Sequence, residues 1–207
     1  MQRSDDMPQT ITYTLGNSLY VNMTNRCTCD CDFCERNTID AVGDADSLWL
    51  EYEPSQEEVL ESIKACDLTQ FDELVFCGFG EPTIRMAELL WVARHVKDLA
   101  PLLPIRINTI GHANLIAGYD TTPSLAGTID VLSVSLNRAD KEAYIQQMHP
   151  VFGDKAYDGM LEFVKKAREY VPKIILTVVD LISEDEIEQC REIAESMGVS
   201  FRIRAAH

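Results

Sequence analysis

Val131-Leu132-Ser133-Val134-Ser135-Leu136-Asn137 decides the fold. Side chains along a strand alternate between faces, so Leu132, Val134 and Leu136 share one side and Ser133, Ser135 and Asn137 the other. The same division recurs upstream, where Arg106 and Asn108 oppose Ile105 and Ile107, and downstream, where Arg202 and Arg204 oppose Phe201 and Ile203. A parallel strand covered by helices on both faces reads as apolar throughout. Strands with one polar face describe a curved sheet around a polar cavity, or an antiparallel edge facing water.

The segments between these strands decide for parallel order. Ser55-Gln56-Glu57-Glu58 and Ser183-Glu184-Asp185-Glu186 have the capping-box spacing that opens a helix. Helices are expected from Ser55 to about Cys66, Arg85 to Leu99, Asp140 to Met148, Lys155 to Tyr170 and Ser183 to Met197. Strands are expected at 73–77, 105–109, 131–136, 173–179 and 199–204. Alternating strands and helices build a parallel sheet with right-handed crossovers. Counted from Leu19–Thr24 there are six strands, which suits a partial (β/α)6 barrel better than a closed eight-stranded one. Gly16-Asn17 between two strand-like runs predicts an N-terminal β-hairpin. The 207 residues form one domain, 1–207, with its core at about 18–204. The last strand falls near the chain end, so no auxiliary cluster domain is expected after it.

The net charge of −16 argues against broad binding to nucleic acid or an anionic membrane. The polar start, MQRSDDMPQT, carries no secretory signal, and no apolar run reaches membrane-spanning length. A cytoplasmic, reducing location follows, and it weakens a disulfide reading of the seven cysteines. Cys27, Cys29, Cys31 and Cys34 crowd together, whereas Cys66, Cys77 and Cys190 are scattered and read as small buried apolar residues. The crowded set reads as a metal or redox site. Three thiolates on a short loop can hold three corners of an iron–sulfur cubane and leave the fourth iron open. Structural zinc is the alternative, although its cysteines usually come as two separated pairs. Cys29 reads as a passive residue, and His112 and His149 as isolated structural histidines. The acidic segment 35–54 is long and irregular, and its Leu48, Trp49, Leu50 and Tyr52 imply packing against the body.

Cys27-Thr28-Cys29-Asp30-Cys31-Asp32-Phe33-Cys34 resembles the Cys-x3-Cys-x-aromatic-Cys signature of the radical S-adenosylmethionine (SAM) superfamily. It stands after the first barrel strand, where that superfamily carries it. Gly78-Phe79-Gly80-Glu81-Pro82, after the second strand, resembles the superfamily's Gly-Gly-Glu-Pro motif, which meets the SAM amine. Arg106-Ile107-Asn108-Thr109-Ile110-Gly111 is similar to the third-strand segment, with Ile110 where an Asn is common. Ser133–Asn137 is similar to the fourth strand. The residues 20–27 and 33–36 further resemble a subgroup named for genes beside TatD-type nucleases.

The resemblance implies a [4Fe–4S] cluster on Cys27, Cys31 and Cys34, with SAM on the open iron. It implies that Phe33 packs near the adenine, that Gly78, Gly80 and Glu81 orient the amine, and that Ser135 and Asn137 meet the carboxylate or ribose. Asn108, Arg106, Arg202 and Arg204 would face the cavity. For the arginines, contact with SAM or substrate and salt bridges to nearby acids stand level. The implied reaction is reductive cleavage of SAM to a 5′-deoxyadenosyl radical that takes hydrogen from an unidentified small molecule, peptide or RNA. Flavodoxin or ferredoxin would donate the electron. The rival is a non-catalytic zinc- or iron–sulfur-binding interaction protein.

Overall fold

Gly16 and Asn17 turn the chain between β1 (Thr12–Leu15) and β2 (Ser18–Val21), which pair antiparallel with Tyr13 opposite Tyr20. Gly16 takes the positive φ, +59°, that a two-residue hairpin turn demands. The computed structural model describes residues 9–205; the outer limits of the expected domain, 1–8 and 206–207, lie outside them.

From β2 onward every pairing is parallel. The strands β3 (Glu73–Phe76), β4 (Ile105–Thr109), β5 (Val131–Ser135), β6 (Lys173–Val179) and β7 (Ser200–Arg204) follow in sequence order in a seven-stranded sheet. The helices are α1 (Gln56–Lys64), α2 (Met86–Leu99), the short α3 (Ala113–Ala117), α4 (Lys141–Met148), α5 (Lys155–Ala167) and α6 (Glu184–Ser196). The six strands of the expected partial barrel and its hairpin are therefore present, and the sheet is not an antiparallel edge. Among the described residues no helix is long and apolar enough to cross a membrane.

The apolar faces of the strands make the core. Leu74, Phe76, Ile105, Ile107, Leu132 and Val134 are buried against Val59 and Ile63 of α1, Leu89 and Val92 of α2, and Met160 and Phe163 of α5. Each such side chain contributes about 1.5–3 kcal/mol on leaving water. The other face is the concave lumen. The register places Asn108 beside Ser133, Ser135 beside Thr177, and Thr177 beside Arg202. Arg202 of β7 lies within electrostatic reach of Tyr20 on β2 and Arg106 on β4, so the sheet curls round on itself.

Helix starts follow local chemistry. Ser55 and Glu58 form the full capping box of α1. At α6 half of the expected box is replaced. The Ser183 hydroxyl accepts from the Glu186 amide, but the Glu186 carboxylate turns to Arg138 Nε (2.7 Å) and the Ala139 amide (3.3 Å). A charged partner from another element outcompetes the local backbone amide.

Candidate active site

The chain leaves β2 through Asn22–Arg26 and enters the cysteine loop. That stem is fastened on several sides. Asn25 exchanges two hydrogen bonds with the backbone of Leu50, at 2.7 and 3.0 Å. The Arg26 guanidinium forks onto Glu53. Buried Arg85 donates to the carbonyls of Met23 and Pro54. Segment 35–54 thus packs as expected: Leu48 is buried with Tyr13 and Phe79, while Trp49 stays 41 % exposed and tilts against Phe79.

The loop sits on the C-terminal end of α4. The amides of Asp30 and Asp32 donate to the carbonyls of Met148 and Gln147, both at 3.0 Å, and the Val151 amide donates to Thr28 at 3.0 Å. These α4 carbonyls would otherwise lack partners at the helix end. His112 lies beneath, fully buried, with Nδ1 3.0 Å from Thr28 Oγ1 and Nε2 3.2 Å from the Tyr144 hydroxyl. His112, isolated in sequence, is the brace under the cysteine loop.

All seven cysteines are free thiols. Cys27 accepts from the Cys29 amide at 3.5 Å, and burial pushes its thiol up to about 12. Cys29 is buried and donates its thiol to Cys31, which holds the Cys31 thiol below the ordinary value and raises that of Cys29. The Arg36 guanidinium, anchored on Asp30 at 3.0 Å, favours the thiolates of Cys27, Cys31 and Cys34. Among the described residues no three His, Cys, Asp or Glu side chains converge on a point that one ion could occupy. Three thiols on one short loop suit a polynuclear cluster better than structural zinc, whose cysteines usually come as separated pairs. Phe33 packs half-buried against the core beside them.

The Gly78–Pro82 segment follows β3 and abuts the stem. A Cβ on Gly80 would stand 2.2 Å from the Thr24 carbonyl oxygen and 2.6 Å from that of Arg26; one on Gly78 would stand 2.2 Å from Asn22 Oδ1. Both glycines therefore serve the contact between the two loops. Among the described residues, the peptide groups of Gly78, Phe79 and Gly80 make no hydrogen bond, which leaves their carbonyls available to a ligand amine. Glu81, expected to help orient the amine, is held by protein groups. It is 2 % exposed, and its carboxylate accepts from the Thr83 amide and hydroxyl, the Thr109 hydroxyl (2.6 Å) and the Ile110 amide (2.8 Å). It ties the end of β3 to the end of β4. Burial raises its pKa against the pull of those donors.

The lumen holds the remaining candidates. Ser133 accepts from Arg202, and Arg106 forks onto Glu73, so for Arg106 the salt-bridge reading is the one found. Asn137 adopts a left-handed φ of 58°, which turns the chain out of β5. Asn108 Oδ1, Asn137 Oδ1 and Arg204 Nε are buried without a partner. An unmet buried polar group costs about 1–3 kcal/mol, so three on one concave face mark a place for a polar ligand. The Ser135 hydroxyl makes no hydrogen bond among the described residues, and the residue is half-buried beside them. Cys77 was expected to be a core residue, as Cys190 is. It points instead into the lumen near Asn108, Arg204 and Tyr13, where burial raises its thiol pKa.

Comparison with known proteins agrees with this geometry. Residues 21–194 match the family model described as the Radical SAM superfamily. A probable GTP 3′,8-cyclase from Methanocella arvoryzae is 29% identical over 176 residues, 83% of this chain and 51% of the relative, so the chain spans about half that protein's length. Among solved structures, SuiB of Streptococcus suis bound to S-adenosylmethionine superposes with a TM-score of 0.64 at 14% identity, covering 92% of this chain and 38% of that one. Methylornithine synthase (PylB) does so at 0.62 and 15% identity, covering 92% and 53%. At such identities the two structures speak for the fold.

Proposed function

Because the chain belongs to the radical SAM superfamily, we propose that it is an enzyme that cleaves SAM reductively and removes a hydrogen atom from a substrate held in its lumen. The carrying observation is the conjunction of three free thiols on the loop after β2 with unpaired peptide groups at the end of β3. Strand carboxyl ends are where (β/α) folds bind ligands. A [4Fe–4S] cluster with SAM would supply one-electron cleavage to a 5′-deoxyadenosyl radical.

The residues present fit those groups. Cys27, Cys31 and Cys34 offer three thiolates, and Arg36 and the Cys29 amide offset their charge. The carbonyls of Gly78 and Phe79 would accept from the SAM amine. Ser135 and Asn137 would meet its carboxylate or ribose, and Phe33 would lie against the adenine. Asn108 and Cys77 face the lumen beyond. A flavodoxin- or ferredoxin-type donor and a cytoplasmic setting suit this chemistry.

The test is spectroscopic. Protein loaded anaerobically with iron and sulfide and then reduced is expected to give a [4Fe–4S]+ EPR signal whose g-values shift when SAM is added. A cluster signal indifferent to SAM would favour the interaction-protein reading.

A further inference from the structure

The lumen concentrates positive charge in a strongly acidic protein. Arg202 and Arg204 share the inward face of β7, and Arg106 projects from β4 toward them. The net charge of the whole chain is −16. Arg106 is matched by Glu73, with Nε at 3.1 Å and Nη2 at 2.6 Å from its oxygens. Arg202 has only a neutral partner, the Ser133 hydroxyl at 3.1 Å. Arg204 makes no side-chain hydrogen bond or ion pair with any described residue, and its Nε is buried without an acceptor. Arg202 also loses some of its hold on its proton, through burial and through repulsion by Arg106 and Arg204. Glu73, the nearest lumen carboxylate, is committed to Arg106 and reaches Arg202 only through its longer-range field, so among the described residues no carboxylate contacts either β7 guanidinium.

We infer that Arg202 and Arg204 form an anion subsite on the β7 wall of the lumen, which receives a carboxylate or phosphate group of a small-molecule substrate. This rests on the radical SAM reading and narrows its substrate. The planar fork of a guanidinium matches either oxyanion in a two-point contact, and Arg202, exposed on the β7 edge of the lumen, is accessible to it. The subsite lies on the last strand, whereas the cysteine loop leaves β2. An anion anchored on β7 leaves the rest of the substrate to extend across the lumen toward the cysteines. The −16 charge of the surroundings repels a polyanion such as RNA and selects for a small ligand.

Isothermal titration of the cluster-loaded protein with SAM present, using inorganic phosphate and, separately, succinate as probes, tests this. At least one probe is expected to bind, with affinity falling tenfold or more in Arg204→Gln and in Arg202→Gln, and unchanged in Arg94→Gln on the exposed face of α2. The tighter probe identifies the group as phosphate or carboxylate. Arg204→Lys, which keeps the charge and loses the fork, is expected to fall between and serves if the Gln variants fail to fold. The proposal is overturned if neither probe binds, if Arg94→Gln weakens binding equally, or if the β7 variants lose SAM affinity tenfold, which would assign the arginines to SAM. Failure of the wild-type protein to bind SAM at all would instead strike the radical SAM reading.

Discussion

The Tyr144 hydroxyl lies 3.2 Å from Nε2 of His112, and the other nitrogen of that ring lies 3.0 Å from Oγ1 of Thr28, the residue after Cys27. One buried imidazole so joins α4, the turn after β4 and the cysteine loop. Both partners are hydroxyls, which can donate or accept, so either neutral tautomer is satisfied.

Burial lowers the His112 pKa from 6.5 to about 4. The unfolded chain then binds the proton first as pH falls. The stabilisation from neutral His112 is whole above about pH 6.5 and is lost progressively as pH falls toward 4. Between about pH 7 and 5.5 the loss amounts to about 1 kcal/mol. Urea unfolding of reduced apoprotein at these two pH values is expected to show this difference, and His112→Phe to reduce it. An equal pH dependence in the variant would show that other groups titrate.

Gly80→Ala is expected to cost more than Gly78→Ala. The added methyl on Gly80 meets two backbone carbonyls of the stem, whereas that on Gly78 meets the Asn22 side chain. Overpacking of this kind costs about 1–3 kcal/mol. Here it also pushes the cysteine loop, so Gly80→Ala should lose iron retention as well as thermal stability. Comparing melting temperature and iron content of the two variants checks the order.

Cys29→Ala is expected to keep its cluster, because Cys29 is buried beside Tyr144 and donates to Cys31. Cys27→Ala, Cys31→Ala and Cys34→Ala should each lose it. Iron and sulfide analysis after anaerobic reconstitution decides; iron loss in Cys29→Ala would make it a ligand.

Asn137→Gly separates backbone from side chain. Glycine accepts the φ of 58° without strain, so folding should be retained. Removal of the buried, unpartnered Oδ1 should weaken SAM binding about tenfold, the scale of one hydrogen bond to a polar ligand. Unchanged affinity would confine Asn137 to shaping the turn.

Much of this was legible in the sequence because it is local. The Gly16-Asn17 turn, the Ser55 box and the strands 105–109 and 173–179 each depend on neighbours a few residues away. The cysteine spacing was equally plain. What escaped depends on partners far along the chain. His112 meets Thr28 across 84 residues, and Glu81 meets Thr109 across 28. Gly80 showed only that something approached closely; its neighbour proved to be the stem of the cysteine loop. Cys77 was misplaced because a cysteine at a strand end looks alike whether it faces core or lumen. The one legible clue to its side was strand parity: Cys77 is in step with Glu73 and Val75 on the inward face.

The most direct measurement is formation of 5′-deoxyadenosine by anaerobically reconstituted, reduced protein supplied with SAM. Slow formation without added substrate, abolished by Cys31→Ala, is the expected result. No product from a protein with an intact, reducible [4Fe–4S] cluster would contradict it.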